Sequence, residues 1–127
     1  MTTMRDINEI TYAIRGAAFR VHKALGPGLL ESVYETCLAY DLQQHGLKVD
    51  RQRPLPVHYQ GVQLNGGYRV DLIVENRVIL ELKAVEDFAP VHTAQILTYL
   101  RLSGCKIGLL MNFNVKNMQE GIRRYIM

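Results

Sequence analysis

The segment Tyr68–Lys83, YRVDLIVENRVILELK, constrains the chain most, because only one pairing of its two apolar runs leaves a clean buried face. Side chains alternate between faces along a strand, and directly opposed residues share a face. A plain two-residue turn at Glu75 and Asn76 sets Val74 against Arg77 and Asp71 against Leu80, which mixes charge and apolar surface on both sides. Three intervening residues, Glu75 to Arg77, pair Val74 with Val78, Leu72 with Leu80 and Asp71 with Glu81. A two-residue turn with a bulge gives the same outcome. One face is then Val70, Leu72, Val74, Val78, Leu80 and Leu82, and the other carries Asp71, Ile73, Ile79, Glu81 and Lys83. Burial selects this second register, since slipping by one residue would bury Glu81 and Lys83.

The register has a chemical consequence. Asp71 and Glu81 lie side by side across a ladder, with Lys83 next on the same face. Opposed like charges destabilise a sheet, and a divalent cation between them removes the conflict. Mg²⁺ takes oxygen ligands and keeps several waters, so one or two carboxylates with a substrate phosphate suit it. A lysine beside such a site can orient water or hold charge on a phosphate. An Asp followed by Glu-x-Lys is a short pattern that also arises by chance, and Lys83 could simply neutralise Glu81 on a polar outer face.

The remaining chain reads as a frame for this hairpin. Ile7, Ile10, Ile14, Ala17, Val21 and Leu25 recur at helical steps over Asp6–Leu25, predicting an amphipathic helix. Gly26-Pro27-Gly28 ends it,. A second helix is expected from Leu29 to Gln44, with Leu30, Val33, Tyr34, Cys37 and Leu38 inward and Gly46 as its stop. Short strands follow at Leu47–Arg53, Pro56–Tyr59 and Val62–Leu64, with Pro54 and Pro56 marking an edge or a bend,. After the hairpin come a helix over Pro90–Ser103, an all-apolar strand Ile107–Met111 and a final amphipathic helix over Asn117–Tyr125. The fold class is α/β, a central mixed sheet flanked by helices, and 127 residues are read as a single domain, 1–127,.

Composition narrows the setting. Apolar residues at 48% and charged residues at 21% argue against disorder,. No apolar run approaches the roughly 18 residues of a membrane span, and Met1–Ile10 lacks the apolar stretch of a secretory signal,. A cytoplasmic protein with no membrane partner is the expectation. A net charge of +3 permits a phosphate-bearing partner without demanding one,. Cys37 and Cys105 show no metal-binding spacing and are expected as reduced, buried thiols,. The four histidines are scattered, and His92 reads as a polar residue at a helix start.

Further motifs stand around the hairpin in a fixed order. Gly28-Leu-Leu-Glu31-Ser-Val-Tyr34 is a GxxExxY pattern, Arg69-Val-Asp71 and Glu81-Leu-Lys83 follow, and then come Gln95-Ile-Leu-Thr-Tyr99 and Asn112-Phe113. With these, the chain resembles the GxxExxY protein family of the PD-(D/E)xK (restriction-endonuclease-like) nuclease superfamily, from about Ile7 to the C-terminus. Val70 stands where the superfamily's name has proline.

The resemblance implies roles by position. Asp71, Glu81, the backbone carbonyl of Leu82 and Glu31 would be the ligands of Mg²⁺ or Mn²⁺, with Glu31 acting directly or through water. Lys83 would position and help activate the attacking water, Gln95 would orient the site, and Tyr99 and Tyr34 would support it. Residues alone fit this without requiring it. Gln95 and Tyr99 share a helix face, while Glu31 in a first helical turn is also explained by the macrodipole. Arg51, Arg53 and Arg69 are candidate nucleic-acid contacts, and Arg101, Lys106, Arg123 and Arg124 could also meet phosphates.

Three function classes compete. The first is a metal-dependent nuclease, a hydrolase of phosphodiester bonds, with DNA ahead of RNA as the partner. The second is a catalytically silent nucleic-acid- or protein-binding accessory module of the same fold; the small size and the absence of a zinc-finger or helix-turn-helix signal suit it. The third is a purely structural domain, against which the intact acidic set argues. Oligomeric state is not encoded in any of these motifs.

Overall fold

The computed structural model describes residues 6–127; the first five positions of the N-terminal segment lie outside the described residues. Helix α1 (Ile7–Leu25) starts where the Asp6 side chain accepts the Asn8 N–H at 2.8 Å. Its buried stripe includes Ile10, Ile14, Ala17 and Val21, the middle of the predicted one, while Ile7 is half-buried and Leu25, at the helix end, is exposed. The chain then reverses through Gly26 and Gly28, both at positive φ (69° and 99°), which side chains with a Cβ rarely adopt. Helix α2 (Glu31–Gln44) buries Tyr34, Glu35, Leu38, Ala39 and Leu42. Leu30 and Val33, expected inside, are exposed, and Cys37 is only half-buried. Leu30 falls just before the helix, and the inner stripe is rotated by one residue from the expected one.

Seven strands follow the helical pair. They are β1 (Val49–Pro54), β2 (Val57–Tyr59), β3 (Val62–Leu64), β4 (Arg69–Val74), β5 (Val78–Lys83), β6 (Ile107–Asn112) and β7 (Ile122–Ile126). Helix α3 (Pro90–Ser103) connects β5 to β6. The main sheet has the order β1-β4-β5-β6-β7, so β1 and β7 are its edges, while β2 and β3 form a separate hairpin. Only β5 and β6 run parallel, which makes the sheet mixed.

The β4–β5 register is the one burial selects: Leu72 opposes Leu80, Ile73 opposes Ile79 and Val74 opposes Val78. A hydrogen bond from Arg77 N–H to the Val74 carbonyl (3.0 Å) closes a two-residue turn, and Arg77 is the extra, bulged residue. Glu75 and Asn76 both have φ 54°, as hairpin turns that follow the strand twist require.

Two cores flank the sheet. Leu72, Val74, Val78, Leu80 and Leu82 pack with α1 and α2, while Ile73 and Ile79 pack with Ile96, Tyr99 and Leu100 of α3. Val70, expected on the α1–α2 side, belongs instead to the α3 cluster with Leu55. The pairing of β4 is interrupted at Asp71 on both sides, and Val70 lies beyond that break.

The expected final helix is absent. A short 3₁₀ turn (Met118–Gly121) leads into β7, which pairs antiparallel with β6. Strand β6 is buried along its whole length, so its outer N–H and C=O groups need a partner more than Asn117–Tyr125 needs a helix. Gly121 makes the approach possible, because a Cβ there would collide with the Asn112 carbonyl. Cys37 and Cys105 are free and half-buried rather than buried. Among the described residues no helix is long and apolar enough to cross a membrane.

Candidate active site

Strands β4 and β5 separate where Asp71 and Glu81 face each other, and their side chains take over the backbone bonding. Asp71 N–H donates to Glu81 Oε1 at 3.2 Å, and Leu82 N–H donates to Asp71 Oδ2 at 2.9 Å. Glu81 is 3% exposed. Its carboxyl is pushed up to about 9, first by burial and then by the negative charge of Asp71; Lys83 pulls weakly the other way. At neutral pH the metal-free site therefore keeps a proton on Glu81, because two carboxylates in so dry a place cannot both ionise.

Lys83 is tied to α3. Its Nζ donates to Gln95 Oε1 (3.1 Å), and Gln95 Nε2 donates to the Tyr99 hydroxyl (3.1 Å). Burial raises the Tyr99 phenol. The stretch after Lys83 is clamped by Asn112, whose Oδ1 accepts the Val85 N–H (3.1 Å) and whose Nδ2 donates to the Val85 carbonyl (2.8 Å). A cleft of about 700 Å³ opens beside Lys83, Gln95 and Tyr99.

The helix carboxylate joined to this network is Glu35. Gln52 Nε2 donates to Glu35 Oε1 (2.6 Å) and to Asp71 Oδ1 (3.3 Å), while Arg51 donates to Glu35 Oε2 (3.0 and 3.2 Å). Gln52 has φ 52°, a left-handed backbone costly outside glycine, and it sits opposite the break at Asp71. Glu31 is exposed at the start of α2, and the structure does not join it to Asp71.

Tyr34 makes its contacts with the α1–α2 turn and with Phe113. It stacks on Phe113 with ring centroids 4.7 Å apart, and its hydroxyl donates to the Gly26 carbonyl (2.6 Å). Of the expected phosphate contacts, Arg51 is engaged with Glu35, Arg53 bonds to Asp50 and Asn76, and Arg69 is exposed. Arg123 lies over the Phe88 ring at 4.5 Å. His92 caps α3, its Nδ1 accepting the Ala89 N–H at 3.0 Å.

Sequence reasoning missed Glu35 and Gln52. Glu35 carries no motif, and Gln52 stands between two arginines on an irregular strand, so neither gave a signal. Asn112 was visible within Asn112-Phe113, but its clamping of Val85 was not.

The donor set can be tested against a cation. Among the described residues no group of three or more His, Cys, Asp or Glu side chains could hold a metal ion, which does not suit a closed zinc site. Two adjoining carboxylates, one of them kept protonated by burial and by the charge of the other, fit a hard cation that keeps its waters,. No curated protein and no solved structure gives a match to the chain. The sequence model of the PD-(D/E)XK nuclease superfamily, in contrast, matches residues 8–125. With the mixed sheet, the broken β4–β5 ladder and its Asp-Glu-Lys set, that match over nearly its full length means that the chain belongs to the PD-(D/E)XK nuclease superfamily.

Proposed function

We propose that the protein is a divalent-metal-dependent nuclease that hydrolyses phosphodiester bonds, with DNA as the preferred nucleic acid. The observation that carries this reading is the pair Asp71–Glu81 at the break in the ladder, with Lys83 two residues on and held by Gln95. Asp71, Glu81 and the Leu82 carbonyl would hold Mg²⁺ or Mn²⁺, and Glu31 would contribute through water. The ion, when bound, supplies Lewis-acid stabilisation of the phosphate and lowers the pKa of water.

The protein's own groups then divide the work. Glu81 would hold the ion as a carboxylate, without the proton it keeps in the metal-free site, and Asp71 is fixed by the Leu82 N–H. The Lys83 ammonium donates one hydrogen to Gln95 Oε1, which leaves others to hold a phosphate oxygen or the attacking water,. Water adds to phosphorus, the P–O bond to one sugar breaks, and the leaving oxygen takes up a proton. Gln95 and Tyr99 are positioning residues that keep Lys83 in place. The finer likeness to GxxExxY proteins belongs to the same reading.

Cleavage of single-stranded and duplex DNA and RNA, assayed with Mg²⁺ or Mn²⁺ against EDTA, tests it. Metal-dependent cleavage that falls about 100-fold in Lys83→Ala is expected, a typical loss for one charge-stabilising group. Metal binding with no cleavage of any substrate would replace the nuclease by the accessory module.

A further inference from the structure

The cleft beside Lys83 is roomy and mostly apolar. Tyr68, Val57, Val91, Ala94 and Leu102 form much of its wall, and among the described residues Lys83 is the one formally charged group that lines it. A phosphate can therefore be met at the Lys83 end, while the rest of the cleft suits an uncharged group with apolar faces. Tyr68 lines the cleft and is 48% exposed, and an aromatic face open to solvent offers a stacking platform. Polar edges are few. His92 Nδ1 accepts the Ala89 N–H, so the neutral ring carries its proton on Nε2 as a spare donor. The Thr98 hydroxyl accepts from Arg101 and keeps its own hydrogen to donate,. Gln95 spends its oxygen on Lys83 and one N–H on Tyr99, which leaves its second N–H,.

We propose that this cleft takes an unpaired nucleobase of the substrate strand, stacked on Tyr68, with the adjoining phosphate at Lys83. The nuclease reading is used only to place that phosphate. A volume of about 700 Å³ lies within the roughly 300–1,000 Å³ of small-ligand sites, ample for a base. A base inside a duplex is already stacked and paired, and must be extruded before it can enter. The substrate is accordingly single-stranded or locally unpaired nucleic acid.

Fluorescence anisotropy in EDTA, with a labelled oligonucleotide of about 12 nucleotides and with its duplex, tests the proposal apart from catalysis. Tyr68→Ala removes the platform, and Ala94→Phe fills the cleft from an exposed position of α3. Wild type should bind the single strand more tightly than the duplex. Each variant should weaken single-strand binding about tenfold, the size of one lost base stack, and leave duplex binding unchanged. Duplex binding as tight as single-strand binding, single-strand affinity unmoved by both variants, or no binding at all overturns the proposal. Wild-type cleavage with Mg²⁺ is scored separately. Cleavage without a base effect removes the cleft's role and keeps the nuclease; base-dependent binding without cleavage does the reverse.

Discussion

Glu81 holds its proton to about pH 9 in the folded chain but releases it near the ordinary value of 4.5 once unfolded. Between those values the folded state binds a proton that the unfolded state does not, so stability falls as pH rises. In EDTA the melting temperature should therefore drop steadily from pH 5 to pH 9, and Glu81→Gln, which cannot ionise, should flatten the decline. An unchanged slope in that variant would show that Glu81 does not carry it. Asp71→Asn separates charge from bonding, since an amide oxygen can still accept the Leu82 N–H. Its metal-free stability should stay within about 1 kcal/mol of wild type, the worth of one ordinary hydrogen bond. The rise in melting temperature that Mg²⁺ or Mn²⁺ gives wild type by binding the native state should shrink or vanish; an undiminished rise would place the cation elsewhere. The facing of Asp71 and Glu81 was readable because strand alternation is strict and one face had to be apolar. Glu35 and Gln52 were not, because their meeting depends on a left-handed residue in β1 that no local preference announces.

The turn between α1 and α2 shows how one side chain holds an element. The Tyr34 hydroxyl donates to the Gly26 carbonyl and accepts the Leu29 N–H at 3.1 Å, so it closes the glycine loop from inside the core. Tyr34→Phe keeps the stacking on Phe113 and leaves those two backbone groups without their partner. A loss of about 1–3 kcal/mol is expected, measured by urea unfolding, with metal binding unaltered because the Tyr34 hydroxyl bonds to the glycine loop and not to a carboxylate. A variant that lost metal affinity at full stability would return Tyr34 to the site. Helices α1, α2 and α3 and strand β6 could be anticipated from periodicity and their glycine stops. The last segment could not: Met118, Ile122 and Tyr125 fall at helical spacing, yet the open side of β6 recruits Ile122–Ile126 as a strand. Local pattern yields there to a hydrogen-bonding demand set by residues ten and more positions earlier.

Taken together, the layers assign separate duties to the two sides of the sheet. The α1–α2 side is the larger core, and the α3 side carries Lys83, Gln95 and Tyr99 beside the cleft. The mixed sheet flanked by helices was readable from the order of elements, whereas the split of Val70 from Leu72 was not. The sheet's two outer strands share a further property. On β1, Pro54 has no N–H to offer and Gln52 breaks the extended line; on β7, Arg123 and Arg124 are exposed side by side. Prolines, kinks and charges are what keep an edge from accepting a strand of another chain. Replacing both arginines by valine should leave the fold intact but make the protein scatter light on mild heating, with a concentration dependence that wild type lacks; equal scattering would acquit the edge. Colloidal behaviour in this family member thus hangs on a few border residues, and a variant can keep its core and its carboxylates untouched and still be lost to fibrous association.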